Sequence, residues 1–119
     1  MLGAVAGDII GSPYEWNNTQ DRYFELCRGT RGWFRGREVT FHPKFTDDTV
    51  MTLAVARWLM NDPDRHVSNL IRIMQSMGRE YIDRGFAPMF KRWIENDNPR
   101  PNNSYGNGAA MRVSPVGLV

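Results

Sequence analysis

The sequence predicts an all-α fold in a single domain. Apolar residues recur at helical spacing in three or four separate segments, and no segment alternates convincingly with a period of two. With 119 residues, the chain has the length of one domain and can bury one core. Helices with apolar faces stabilise one another by packing those faces together, so one helical domain over residues 1–119 is the expected architecture.

The N-terminal segment is predicted to be a short helix followed by a long loop. Residues 2–11 are small and apolar, and their glycines are four positions apart, which would let another backbone approach one helix face closely. Helical periodicity is lost from Tyr14 to Lys44, where we expect one long loop with a turn of helix near 21–27. Loops of this length in compact domains tend to be functional or mobile.

Two further helices have clear boundary signals. The first is predicted from about 47 to 60, with Thr46 as its N-cap and an apolar stripe at helical spacing. The second opens near Pro63, because proline suits the first turn of a helix, and it continues to Arg84. Gly85 is then a natural residue for the position after the helix end.

The C-terminal part is predicted to contain one more helix and then turns. A short helix should pass through residues 89–94, and residues 96–108 are almost all of turn-forming types. The apolar pattern of residues 109–119 is expected to be helical again. Because a chain end usually frays into polar residues, this apolar ending leads us to expect the N-terminal portion of a larger helical fold.

Composition argues against several classes of function. The 15 Lys and Arg residues are nearly balanced by 13 Asp and Glu, so the net charge of +2 does not favour nucleic acid or a membrane as partner. Cys27 is the one cysteine and His42 and His66 are the two histidines, so a zinc site is not expected. No apolar run approaches the ~20 residues of a membrane span. A soluble, cytoplasmic protein is therefore predicted.

Asp47 and Asp48 stand side by side immediately before an apolar helix. Two carboxylates about 5 Å apart repel by roughly 3 kcal/mol at an effective dielectric constant of about 20, and a helix N-terminus returns only about 0.3 to 1 kcal/mol for each. In one interpretation both acids are simply solvated, at little cost. In the other they bind a divalent cation together with the hydroxyl oxygen of Thr46 or Thr49, and such hard ligands suit Mg²⁺, Mn²⁺ or Ca²⁺.

Two more segments are candidates for the same site. Glu15 follows the first helix, on a turn from which its carboxylate could face a cleft, and an ordinary surface position is the alternative. Residues 104–112 form a glycine-containing loop that leads into an apolar segment, and such a loop can direct backbone N–H groups toward an anion such as a diphosphate. For this loop the alternative is a plain turn.

Three motifs, taken together and in this order, resemble those of the ADP-ribosylglycohydrolase family, which includes the dinitrogenase reductase-activating glycohydrolases. The resemblance extends from Gly3 to Leu118. It implies an all-α fold, two Mg²⁺ or Mn²⁺ ions in a cleft, and hydrolysis of the bond between ADP-ribose and a modified side chain or small acceptor. The motifs are G-A-V-A-G-D-I-I-G-S-P-Y-E, F-T-D-D-T-V-M-T-L-A and Y-G-N-G-A-A-M-R-V-S-P-V-G.

The resemblance also implies roles for residues at matching positions. Asp47 and Asp48 would hold a metal ion with Thr46, and Asp48 would also take part in catalysis. Glu15 matches an acid thought to gate the site or to assist proton transfer, and Arg112 matches a position expected in helix anchoring. The residues implied to bind the diphosphate and ribose of ADP-ribose are Asn103, Ser104, Tyr105, Gly106, Asn107 and Gly108.

One departure from the family pattern is large. Family members are typically much longer and provide further metal ligands from a later D-x-D-T motif, which this sequence lacks. The nearest match, D-P-D-R at residues 62–65, sits at a helix junction without the threonine, and we reject it. Half of the expected metal cage is therefore missing from this sequence, and a second chain could provide it.

Two alternative functions follow from the same residues. The chain could bind ADP-ribose or a related nucleotide without hydrolysing it. The arginines of residues 28–37, interleaved with Trp33 and Phe34, could instead bind RNA through phosphate contacts and stacking, although so small a basic patch makes this a weaker expectation. For the enzyme, the expected partner is an ADP-ribosylated protein or a small ADP-ribose conjugate.

Overall fold

A computed structural model of the chain describes residues 1–15, 29–101 and 103–119. The described residues are mostly helical, with one small antiparallel sheet, which confirms the all-α class. None of their helices is long and apolar enough to cross a membrane. In chain order the elements are α1 (Leu2–Gly11), β1 (Thr30–Phe34), β2 (Arg37–Phe41), α2 (Asp47–Asn61), α3 (Val67–Glu80) and α4 (Pro88–Glu95), followed by 3-10 turns at Asn107–Ala109 and Val116–Leu118.

Helices α2, α3 and α4 enclose the core. Met51 and Ala54 of α2 and Ile94 of α4 are 0 % exposed. Phe86, in the turn between α3 and α4, is buried in the same cluster. The close approach of α3 and α4 depends on Gly78, where an added Cβ would lie only 2.7 Å from Ile94 Cδ1. Because Met51 and Ala54 of α2 lie at the centre of this core, the apolar stripe predicted for α2 is confirmed.

Helix α1 contributes nothing to this core. It has the predicted bounds, but none of its residues is buried. An added Cβ at Gly3, Gly7 or Gly11 would meet no described atom within 4 Å, so the expected close approach of another backbone to the glycine face is not found among the described residues. Polar contacts hold α1 instead. Asp8 accepts a hydrogen bond from the N–H of Thr46 at the start of α2, and Ser12 Oγ accepts one from the N–H of Lys44.

A β-hairpin occupies part of the predicted long loop, which is a correction to the sequence prediction. The turn residues Arg35 and Gly36 both have positive φ, 50° and 77°, as in the type I′ turns that suit the twist of paired strands. Alternation with a period of two does not reveal the strands, because the neighbouring side chains of Trp33 and Phe34 are both exposed. The helical turn predicted near 21–27 lies outside the described residues.

The helix predicted from Pro63 to Arg84 is shorter at both ends, as the bounds of α3 show. Its late start has a physical reason in the buried carboxylate of Asp62. Asp62 Oδ2 accepts hydrogen bonds from the backbone N–H of His66 at 3.0 Å and from the side-chain amide of Asn69 at 2.7 Å. These bonds favour a compact turn before the helix over a helix that begins at the proline.

The two predictions for the C-terminal part have opposite outcomes. Helix α4 confirms the short helix predicted through residues 89–94. The continuous helix predicted for residues 109–119 is wrong, because the segment forms only isolated 3-10 turns. Pro115 gives the reason, since it has no N–H to donate and disfavours helical geometry in the residue before it.

Replacing Asp62 by alanine is expected to lower the melting temperature by several degrees near neutral pH. The hydrogen bond from Asn69 is the largest cause that holds the pKa of Asp62 at about 2, below its ordinary 3.8. Because the pKa is lower in the folded chain, this stabilisation is present above 3.8 and is lost as the pH falls through about 2. Thermal melts at neutral and acid pH should show that the difference in melting temperature between Asp62→Ala and wild type is smaller in acid. Replacement of the exposed neighbour Asp64 by alanine is the control. A decrease in melting temperature of Asp62→Ala that is the same at both pH values would contradict the prediction.

Candidate metal centre

The first turn of α2 has its backbone donors occupied. The N–H groups of Thr46 and Thr49 donate to Asp8 Oδ2, at 2.8 and 3.2 Å. The N–H of Asp47 donates to the carbonyl oxygen of Arg84 at 2.8 Å. The N–H of Asp48 donates to Thr46 Oγ1 at 3.3 Å. Thr46 is therefore the N-cap, as predicted, and Asp8 is a second cap that the sequence did not predict.

Three threonines on one face of α2 connect it to two other parts of the chain. Thr46, Thr49 and Thr52 are three residues apart, and all three are buried. The first two hydroxyl groups donate to Asp8 of α1, each at 2.6 Å. The third donates to the carbonyl oxygen of Met111 at 3.1 Å. The end of α1 and the C-terminal glycine-containing loop are thereby held beside the N-terminal half of α2.

Three carboxyl groups with raised pKa values converge at this point. Burial and then the charge of Asp48 raise the pKa of Asp47 from 3.8 to about 6. Burial also raises the pKa of Asp48, with a further contribution from Asp8. For Glu15, burial raises the pKa most, followed by the charges of Asp48 and Asp8, while Lys44 lowers it. Negative charges that disfavour one another in this way favour a cation between them.

Arg112 places positive charge next to two of these carboxylates. Burial lowers its pKa, whereas the charges of Asp47 and Asp48 favour its protonated form. Its Nε donates to the carbonyl oxygen of Gly108, and its guanidinium lies 5.0 Å from the centroid of the Phe90 ring. The family resemblance implies only an anchoring role for Arg112, and the structure adds an electrostatic one.

The loop predicted to bind a diphosphate, residues 103–108, meets the site at its C-terminal end. An added Cβ at Gly108 would lie 2.9 Å from Arg112 Nη2, so this glycine lets the guanidinium pack against the loop. Tyr105 is fully exposed, and the preceding residues of the loop are exposed as well. The structure therefore brings the end of the loop toward the carboxylates and leaves the tyrosine in solvent.

The turn after α3 borders the site on another side. Gly85 was predicted to follow directly after the helix end, which is wrong because α3 ends at residue 80, but its φ of +103° suits glycine. An added Cβ at this position would lie 3.1 Å from Asp47 Oδ1. The guanidinium of the adjacent Arg84 lies 3.9 Å from the centroid of the Phe45 ring and fixes the turn. Gly85 thus leaves room for the Asp47 carboxylate, which helical spacing alone could not indicate.

Replacing Gly85 by alanine is expected to reduce the stabilisation of the chain by Mn²⁺, because the new methyl group would displace the Asp47 carboxylate. Gly36→Ala is the matched control, since Gly36 also has positive φ but open space around it. Each substitution should cost about 1 to 3 kcal/mol through backbone strain. Chemical denaturation with and without Mn²⁺ separates the two effects. Equal metal-dependent gains in both variants would show that Gly85 does not shape the site.

A cavity of about 590 Å³ has Glu15 in its lining. The hairpin forms one wall, and Glu15, Thr46 and the turn at 83–85 form the others. Its rim carries charges of both signs, with Lys44 and Arg84 positive and Glu15 and Asp83 negative. The volume is in the range of small-molecule sites, so a ligand in it could contact Glu15 and the hairpin at once.

A second group of potential metal ligands lies at the opposite end of α2. Ligand atoms of Asp62, Asp64 and His66 lie within 4.8 Å of one another. The 15 residues of α2 place this group on the order of 20 Å from Asp47. The Asp62 carboxylate already accepts hydrogen bonds from His66 and Asn69. Residues 62–65 therefore do not complete the group of Asp47, Asp48 and Glu15, which we call the acidic cluster.

Comparison with known proteins defines the class. The chain matches the ADP-ribosylglycohydrolase family over residues 1–119 and belongs to it. Among individual relatives, it is 29 % identical over 143 residues to ADP-ribosylhydrolase ARH3 of Homo sapiens. It is 28 % identical over 146 residues to the protein of that name from Mus musculus, and 26 % over 140 residues to the one from Xenopus tropicalis.

These matches cover 99 % of this chain but only 37 % or 38 % of each relative. The chain therefore spans little more than a third of the length of these relatives, and it is consistent with their N-terminal portion. No solved structure matches the chain significantly. The resemblance that the three motifs indicate is thereby confirmed at the level of the family.

Proposed function

We propose that this chain carries the first part of the active site of a divalent-metal-dependent hydrolase, which releases ADP-ribose from a modified side chain or small acceptor. Membership of the family supports a hydrolase that removes ADP-ribose. The single observation that carries the metal dependence is the convergence of Asp47, Asp48 and Glu15 with raised pKa values. A divalent cation between such groups turns their mutual repulsion into attraction.

The residues present fit a hard divalent cation. Asp47 and Asp48 offer carboxylate oxygens, and the Thr46 hydroxyl retains an acceptor lone pair because its hydrogen is donated to Asp8. Oxygen ligands of this kind suit Mg²⁺ or Mn²⁺ rather than zinc. When bound, the ion would polarise oxygen atoms of the sugar and of the attacking water. We propose two ions in the complete site, with the other ligands provided from outside these residues by the rest of a longer chain or by a second chain.

Glu15 and Asp48 have linked roles in this proposal. A carboxylate oxygen of Glu15 accepts a proton from the attacking water and can return a proton to the leaving group. Burial raises the pKa of Glu15 most and the charge of Asp48 raises it further in the metal-free chain, which brings it closer to the range useful for acid-base catalysis near neutral pH. Asp48 takes part in catalysis as a ligand of the ion that would polarise the attacking water.

The remaining sequence predictions join this proposal on chemical grounds. The Asn/Gly loop at residues 103–108 would bind the diphosphate and ribose, with Arg112 beside it as a charge partner for phosphate. The substrate would be an ADP-ribosylated protein or a small ADP-ribose conjugate. A cytoplasmic location stays a prediction, which the single Cys27 supports.

ADP-ribose binding without turnover is the second candidate function. The observation that favours it is that the chain spans 37 % or 38 % of the length of its relatives, so ligands of the metal site could lie outside it. The Asp47/Asp48 pair would then serve recognition of the ribose through a bound ion. No hydrolysis would be expected from the chain alone.

Incubation of the purified chain with ADP-ribosyl-arginine and Mg²⁺ separates these candidates. Release of free ADP-ribose above that of an Asp47→Ala/Asp48→Ala double variant would support the hydrolase. Thermal stabilisation by ADP-ribose that requires Mg²⁺, without release, would support the binding function. If the chain shows neither release nor stabilisation, both proposals are wrong for this chain.

A further inference from the structure

Asp8 is the most heavily hydrogen-bonded acid among the described residues, although it lies outside the proposed ligand set. Its Oδ2 accepts the N–H of Thr46 at 2.8 Å, the N–H of Thr49 at 3.2 Å and the hydroxyl of Thr49 at 2.6 Å. Its Oδ1 accepts the hydroxyl of Thr46 at 2.6 Å. The two oxygens therefore have separate tasks: Oδ2 caps the helix, and Oδ1 contacts the side chain of a proposed metal ligand.

We propose that Asp8 is a positioning residue that orients the Thr46 hydroxyl group for cation binding. This inference rests on the proposed function, because it assumes that Thr46 is a metal ligand. A hydroxyl group has one hydrogen and two acceptor lone pairs, whereas a carboxylate only accepts. The contact with Asp8 Oδ1 therefore fixes the hydrogen of Thr46 on the side of α1.

The lone pairs of Thr46 are thereby directed away from α1. One of them accepts the N–H of Asp48 at 3.3 Å. The other is left for a cation that Asp47 and Asp48 would hold. If Asp8 did not accept this hydrogen bond, the hydroxyl group of Thr46 could rotate and point its hydrogen at the ion. The ion would then lose Thr46 as a ligand and would be repelled by the hydroxyl hydrogen.

An asparagine at position 8 separates the two tasks of the carboxylate. Three donors point at the Oδ2 position, so the amide oxygen of asparagine is expected to take that place and keep most of the helix cap. The amide NH₂ group then faces Thr46 Oγ1. Because NH₂ only donates, Thr46 must accept from it and turn its own hydrogen elsewhere. Asp8→Asn should thus preserve the fold and reverse the hydrogen bond to Thr46.

The test measures the affinity of the full 119-residue chain for Mn²⁺, through the electron paramagnetic resonance signal of the free ion, together with the melting temperature in a chelator. Asp8→Asn is expected to lose about 10- to 100-fold in affinity, as other changes beside metal ligands do. Ser12→Ala is the matched control, since it removes another contact between the end of α1 and the segment before α2 without touching Asp8 or Thr46. It should lower the melting temperature and leave the affinity within about twofold of wild type.

A double-mutant cycle with Thr46→Val distinguishes orientation from simple loss of charge. If Asp8 acts through the Thr46 hydroxyl, Asp8→Asn should have little further effect on affinity once that hydroxyl is gone. The same factor in both backgrounds would mean that only the charge of Asp8 matters and would overturn the inference. No loss of affinity in Asp8→Asn would also overturn it. Failure of the wild-type chain to bind Mn²⁺ would instead refute the proposed function, and with it the premise of this inference.

Discussion

Replacing Asp47 by asparagine is expected to stabilise the metal-free chain and to abolish its stabilisation by Mg²⁺ or Mn²⁺. The pKa of Asp47 is raised from 3.8 to about 6 by burial and by Asp48. Each pKa unit corresponds to about 1.4 kcal/mol, and solvent screening reduces the effect at a partly exposed group. The free energy of unfolding in a chelator should therefore rise by about 1 to 3 kcal/mol in the variant near neutral pH.

The pH dependence gives this prediction a definite sign. A carboxyl group with a higher pKa in the folded chain favours folding while it is protonated, so its contribution is fully present below 3.8 and is lost as the pH rises through about 6. Metal-free wild type should become less stable over this interval, and Asp48 and Glu15, whose pKa values are also raised, act in the same direction. The decline should be smaller in Asp47→Asn.

Urea denaturation across this pH interval, with a chelator or with Mn²⁺, provides the measurement. Replacement of Asp97 by asparagine, in an exposed turn, controls for the loss of one negative charge. We expect that variant to follow wild type in both conditions. A chelated Asp47→Asn protein that is less stable than wild type, or one that Mn²⁺ still stabilises fully, would show that the acidic cluster is not a cation site.

Replacing Ile94 by alanine should have the largest effect on stability alone. Ile94 is 0 % exposed and fills the space between α3 and α4 that Gly78 leaves. Truncation of a large buried side chain typically costs about 2 to 5 kcal/mol, a large part of the roughly 5 to 15 kcal/mol that stabilises a domain. The midpoint of urea denaturation should fall accordingly, with little change in its slope.

Gly78→Ala provides a matched control for the Ile94 prediction. In wild type the added methyl group would lie 2.7 Å from Ile94 Cδ1 and should destabilise the chain by overpacking. In the Ile94→Ala background the same methyl group enters the new cavity, so its cost should shrink or change sign. Strictly additive effects of the two substitutions would mean that Gly78 and Ile94 do not share this contact.

Local sequence signals predicted much of the fold because they act within one element. The apolar spacing from Met51 to Val55 identified α2, and Thr46 followed by two acids identified its start. The short helix before residue 96 was also predicted from local preferences. These features depend on helix periodicity and capping, which a single sequence displays directly.

Features that depend on contacts between distant segments could not be predicted in this way. Asp8 is the one acid in the sequence of α1, yet it caps a helix that begins nearly forty residues later. The carbonyl oxygen of Arg84 accepts a hydrogen bond from the N–H of Asp47, and Gly85 leaves space for the Asp47 carboxylate, although both residues come after α3 in the chain. The hairpin was missed because its aromatic residues are exposed on successive positions, so the usual burial pattern of a strand is absent.

The location of α1 links the order of this helix to the chemistry proposed for the acidic cluster. No residue of α1 is buried, and polar contacts with Thr46, Thr49 and Lys44 attach the helix and its C-terminal end to the domain. An element attached in this way is expected to open by local unfolding before the core does. Each such opening would free the Thr46 hydroxyl to rotate. An ion that requires the ordered hydroxyl would bind only the closed form and would thereby draw the helix onto the domain. In the proposed site, the divalent cation and the N-terminal helix would thus be thermodynamically coupled, and each would stabilise the other.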